Sequence, residues 1–133
     1  MNIIRRTFPK NERLSRKLHL DMLFQNGASF IAYPLMVVYL SVIQENGAPV
    51  SVLVSIPKKK IRHAVERNYI KRRIRESYRL RKHDLLQIIS ENNKKLLLAF
   101  VYLHNERSSF DKIDQAVAKA IRNMMGIIDS YEL

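Results

Sequence analysis

The 133-residue chain has no cysteine and no tryptophan, only three glycines and four prolines, and half as many acidic as basic side chains. Without cysteine, disulfides, thiolate metal sites and thiol nucleophiles are excluded, so stability has to come from packing. Three glycines do not make a phosphate-cradling loop. No apolar run approaches the roughly 18 residues of a spanning helix, and the first residues, MNIIRRTFP, lack a signal-peptide core. A cytoplasmic protein without a membrane partner is therefore expected. His19, His63, His83 and His104 are scattered, with none at a metal-ligand spacing on a helix. Glu66 and Glu76 sit among arginines as local charge partners. Asp111 and Asp114 fall in the first turns of the last helix, where the macrodipole favours them. No catalytic residue and no metal ligand is expected in the chain itself.

What the chain does have is positive charge. Its 24 Lys and Arg against 12 Asp and Glu give a formal net charge of +12, a self-repulsion usually relieved by a polyanion, with nucleic acid the first choice. A hydrophobic share of 47% argues for a folded core, and the length suits one domain over residues 1–133.

The first nine residues read as flexible, with Pro9 interrupting any helix. Leu14, Leu18, Met22 and Phe24 predict a helix over about 13–25, stopped by Asn26-Gly27. The β-branched and aromatic run at 33–43, the turn signal ENGAP at 45–49 and a second run at 50–56 predict a hairpin with a five-residue loop. A basic helix follows over 63–82, then a helical turn or two within 84–93. KLLLAFVYL at 95–103 has the length and continuity of a buried strand. Ser108, three residues before Asp111, suggests a capping box. Phe110, Ile113, Val117, Ile121, Met124 and Ile128 then give an amphipathic final helix. The sum is α+β: one small, mainly antiparallel sheet of three or four strands with three helices packed on it.

The basic helix concentrates the charge. From Lys58 to Lys82, 25 residues carry 12 of the 24 basic side chains and only two acids, so i to i+4 pairing cannot neutralise them. At 100° per residue, Arg67, Asn68, Lys71, Arg72, Arg75 and Arg79 fall on an arc of about 140°. Ile70, Ile74 and Tyr78 form a neighbouring arc, and Val65, Tyr69 and Leu80 a third, so both flanks are expected to pack. A rod embedded in this way favours the backbone and shape of a folded RNA over insertion into a DNA groove.

KKKIRHAVERNYIKRRIRESYRLRKHDL resembles the signature of the protein component of bacterial ribonuclease P, and FPKNERL at 8–14 resembles that family's N-terminal segment. Two departures stand out: Tyr69 replaces the second Arg of the family's Arg-Asn-Arg triplet, and 85–94 is longer than the usual link. The resemblance implies a left-handed βαβ crossover, and a complex whose RNA subunit holds the Mg²⁺ ions and the cleavage site for endonucleolytic 5′ maturation of precursor tRNA. By position it assigns the catalytic RNA to Arg67, Asn68, Lys71, Arg72 and Arg75; Lys60, Arg62 and Arg79 of the same basic stretch are candidates for additional RNA contacts. It assigns no contact to Tyr69. It implies a path for the 5′ leader of precursor tRNA along a cleft between the first helix and the sheet. Phe8, Lys10, Arg13, Phe24, Tyr39, Lys58 and Lys59 are the candidates there, aromatics for stacking and bases for phosphates. A monomer is expected. The competing reading is a ribosomal or RNA-assembly structural protein using the same helix. A DNA-binding regulator has less support, since neither a recognition-helix pair nor a dimer zipper is present.

Overall fold

The computed structural model describes residues 8–43 and 47–130. The elements in chain order are a 3-10 turn (Lys10–Glu12), α1 (Lys17–Asn26), β1 (Ala28–Ala32), β2 (Leu35–Ile43), β3 (Val50–Ser55), α2 (Ala64–Arg81), α3 (His83–Glu91), β4 (Lys94–Tyr102) and α4 (Phe110–Asp129). The α+β layer holds, with four α-helices rather than three among the described residues.

The sheet order is β1-β2-β4-β3. β4 pairs antiparallel with β2, from Leu35↔Tyr102 to Ile43↔Lys94, and parallel with β3, from Val50↔Leu96 to Ser55↔Val101. The expected hairpin of 33–43 with 50–56 is therefore opened, with β4 seated between its arms. Residues 48 and 49, just before β3, are tied to the start of β4, where Leu96 N–H donates to Pro49 O (2.9 Å) and the buried Lys95 ammonium to Ala48 O (3.0 Å). The actual hairpin is β1–β2, closed by Tyr33 and Pro34, with Ala32 opposite Leu35. Its first strand, ASFIA, is too short and too mixed to have been read from the sequence. β3 and β4 are parallel neighbours joined through α2 and α3, which makes a βαβ connection.

A central strand buried on both faces must be apolar throughout, and Leu96 to Phe100 and Tyr102 are all buried. One face packs beneath α2, α3 and α4, with Phe100, Tyr102, Ile70, Ile74, Tyr78, Ile89 and Val117 in one cluster. The other carries a smaller cluster in which Leu14 and Leu23 cover Val38, Leu97 and Ala99. Half-buried Met36, Leu53 and Val101 edge that cluster. α1 can lie this close because residue 27 is glycine: a Cβ there would run into the carbonyl oxygens of Leu23 and Tyr39. Gly27 ends α1 at the expected place, but in an extended conformation (φ −72°).

Residues 13–16 are not helical as expected. Arg13 bridges to Val52, and Leu14 N–H donates to Val52 O (2.8 Å), so the segment lines the exposed edge of β3. A hydrophobic side chain at 14 is thereby buried by strand-like pairing, which the helical spacing of leucines disguised. The N-cap of α4 is Ser109, accepting from Lys112 N–H; Ser108 instead bonds the buried Tyr102 hydroxyl (2.7 Å).

Candidate nucleic-acid interface

α2 packs on one side only. Ile70, Ile74, Ser77 and Tyr78 are buried, whereas Val65 is 77% and Leu80 43% exposed, so of the expected second apolar flank only half-buried Tyr69 packs against the core. The helix therefore presents a wider open face than the wheel suggested. Asn68 and Arg72 are fully on that face, with Lys71 and Arg75 half-buried at its margin.

The predicted cations divide by partner. The Arg67 guanidinium donates to Ile61 O (3.1 Å) and Arg62 O (2.7 Å), tying down the turn before α2. Arg79 forks onto Glu76 at 2.6 and 3.1 Å. Lys71, Arg72 and Arg75 have no carboxylate partner among the described residues. Burial, and then the like charge of Arg13, push the Arg75 guanidinium below its ordinary value. The second of these causes is a local positive field that an incoming anion relieves. Lys58, Lys59, Lys60 and Arg62 are exposed on the approach to α2, the first three in a turn that Lys60 N–H closes onto Pro57 O (3.0 Å).

The N-terminal segment belongs to the same surface. Phe8 stands edge-on to Tyr78 (centroids 5.5 Å), and Arg13 lies over Phe8 (5.3 Å). With Arg72, Arg73, Arg75, Glu76 and Arg79 they line an open cleft of about 600 Å³. Phe8 is therefore held, not loose; residues 1–7 of the segment expected to be flexible lie outside the described residues. The anchor is a buried ion pair: Lys82 donates to both Glu12 carboxylate oxygens, at 2.7 and 2.8 Å.

The leader candidates are not all brought together. Phe24 is 52% exposed on α1 and so is not core. Lys10 is exposed on the 3-10 turn. Tyr39 faces the other way: it packs with Phe30 (5.9 Å) against the cluster under α4, on the sheet face opposite α1. In β2 the period of two puts residues 35, 37 and 39 on that face, so Tyr39 cannot line a cleft beneath α1.

Three further constellations have no local sequence signal. Asp114 of α4 accepts a fork from Arg81 (2.8 and 2.6 Å) and a bond from the buried Ser77 hydroxyl (2.6 Å), locking α4 to α2. Arg107 forks onto Glu66 (2.8 and 2.6 Å) and lies over Tyr69 (4.1 Å), with Arg73 over the same ring (4.5 Å). The Arg73 guanidinium holds the Tyr69 phenol below its ordinary value. Tyr33 and His104 meet hydroxyl to Nδ1 at 2.9 Å. Among the described residues no group of three His, Asp or Glu is placed to hold a metal, and no helix is long and apolar enough to cross a membrane.

The Asp114 lock carries a pH dependence. Arg81 first, then Ser77, hold its carboxyl below the ordinary value. A depressed carboxyl stabilises the fold fully above its unfolded value near 4, and that share is lost as pH falls through the folded one. Melting followed from pH 7 to 2 should show this acid loss. Asp114→Asn should flatten it and cost roughly 1 kcal/mol at neutral pH, the pair being partly exposed.

A cationic helix over a four-stranded sheet, with an aromatic and arginine-lined cleft at its side, is a geometry to compare with known proteins. The description of the ribonuclease P family matches residues 8–125. The chain belongs to the ribonuclease P protein family. It is 36% identical over 124 residues to the ribonuclease P protein component of Porphyromonas gingivalis, covering 93% of this chain and 90% of that one. Identity to the protein component of Chlorobium phaeobacteroides is 30% over 125 residues, 86% of each chain. The structure of the Staphylococcus aureus RNase P protein superposes with a TM-score of 0.62 at 19% identity, over 86% of this chain and 95% of that one, a likeness of fold. Against the ribonuclease P pattern, the long link at 85–94 is now explained: it is α3 and its Asn92-Asn93 end, with Leu85 and Ile89 in the core. Tyr69, the other departure, is the ring that carries Arg73 and Arg107.

Proposed function

We propose that this chain binds the ribonuclease P RNA through the open face of α2, and the 5′ leader of precursor tRNA along the neighbouring basic surface, so promoting 5′ maturation of tRNA in the cytoplasm. The observation that carries the reading is the set Lys71, Arg72 and Arg75, none ion-paired to a carboxylate among the described residues, with Arg75 crowded further by Arg13. Each phosphate they neutralise releases counterions, which makes binding strongly salt-dependent. Asn68 and the exposed Lys60 and Arg62 extend the strip, while Arg67 and Arg79 are partly committed to internal partners and contribute less.

For the leader, the exposed Phe24 offers a stacking face and Lys10, Lys58 and Lys59 offer phosphate partners. Phe8 and Arg13 sit at the seam with α2, where both RNAs can be reached. Tyr39 is not included, being on the wrong face of the sheet. Mg²⁺ supplies the hydrolytic chemistry in this reading and is held by RNA phosphates; the chain's residues bind and orient, offsetting repulsion between two polyanions. The protein acts as a monomer.

The test adds the purified chain to its cognate catalytic RNA at low Mg²⁺ and follows 5′ processing of a precursor tRNA. Cleavage should rise severalfold at least. An unchanged rate, with ribosomal RNA copurifying instead, would favour a purely structural role in RNA assembly.

A further inference from the structure

Beside the cleft that Arg73 also lines, two guanidiniums share one aromatic ring. Arg73, one turn along from Tyr69, lies 4.5 Å from its centroid, and Arg107, from the loop between β4 and α4, lies 4.1 Å from it. Glu66 accepts both forks of Arg107, at 2.8 and 2.6 Å. The Arg107 and Glu66 side chains remain 47% and 38% exposed.

A solvent-exposed ion pair adds little to stability, so this group is poorly explained as glue. It is better explained as preparation. Stacking on a ring orders a flexible arginine before any partner arrives, lowering the entropy lost on binding. A guanidinium lying over an aromatic keeps its N–H edge for planar, two-pronged acceptors. Glu66 occupies that edge with the geometry a phosphate would use. The group has two cations and one anion, so it keeps a net positive charge that favours an incoming phosphodiester.

We propose that Tyr69, Arg73 and Arg107 form a second RNA-backbone contact, in which the tyrosine is the platform, the arginines grip phosphate, and Glu66 is a resident competitor displaced on binding. The inference rests on the reading of α2 as the surface for the catalytic RNA and widens that surface to the β4–α4 loop. It also gives position 69 a task despite its lack of charge: it recruits a guanidinium from a segment far along the chain.

The experiment measures equilibrium binding of the full chain to the catalytic RNA across a salt series. Arg107→Ala should lower affinity about fivefold and reduce the salt slope by about 0.7–0.9, one phosphate contact. Tyr69→Leu should do about the same by releasing the stack. Glu66→Gln should raise affinity severalfold, because the competitor is gone. If Arg107 merely pins its loop to α2, Glu66→Gln and Arg107→Ala will shift affinity the same way, and the proposal fails. No effect of Arg107→Ala also overturns it. Arg72→Ala/Arg75→Ala is measured alongside: a normal affinity there sinks the reading of α2, whereas a loss there with none at Arg107 sinks only the second contact.

Discussion

Replacing Arg72 and Arg75 together by alanine should weaken binding to the catalytic RNA on the order of 100-fold at moderate salt. A hydrogen bond to a charged group contributes about 1.5 kcal/mol or more, and two independent contacts multiply. The plot of log affinity against log salt should flatten by about 1.4–1.8, the share of two released counterions. The fold should be indifferent, since neither side chain has an internal carboxylate partner among the described residues, and removing Arg75 relieves repulsion with Arg13. Filter binding at four or five salt concentrations, with melting curves as control, measures both quantities. An unchanged slope in a folded double variant would rule out this face.

Lys82→Ala should have the largest effect on stability. Lys82 and Glu12 are 4% and 9% exposed and joined by two bonds of 2.7 and 2.8 Å. Removing one member of a buried pair strands the other, at a cost of about 3 kcal/mol or more. For a domain of this size that lowers Tm by roughly 10 °C. The strain has an outlet, because the segment bearing Glu12 can peel away and hydrate its carboxylate. Hydrogen exchange at the Leu14 amide, which donates to Val52 O, should then accelerate more than at the strands of the sheet interior. RNA affinity should fall too, since Phe8 and Arg13 lose their places beside α2. Replacing both partners by Leu and Met should restore much of the stability, as apolar isosteres of a buried pair commonly do.

How much of the fold and of the site is legible in the sequence depends on whether the signal is local. α2, α4 and β4 follow from periodicity or from an unbroken apolar run, and all three lie within two residues of the expected bounds. What failed was pairing. ENGAP announces a turn, but nothing near it says that a strand from 50 residues later will enter between the arms. Leu14 looked helical because leucines at spacing of four mark a helix, yet its burial comes from the edge of β3. The same limit governs the site. Arg72 and Arg75 could be placed on a helical face from the sequence, but a wheel cannot tell an open flank from a packed one, so Val65 and Leu80 were misjudged. Tyr39 was misplaced because aromatic identity was read without strand register. Arg107 and Lys82 act through partners 41 and 70 residues distant, and composition alone cannot join them.

The seating of β4 between β2 and β3 constrains how the chain is made as well as how it stands. In the finished sheet β2 and β3 lie two strand spacings apart, roughly 10 Å, and both inner edges are satisfied only by residues 94–102, which are synthesised later. Without β4 the inner edges of β2 and β3 have no partner, and such bare edges invite pairing with other chains. Completion of the sheet is a late and non-local event, of the kind that slows folding, and a chain released early should aggregate rather than idle.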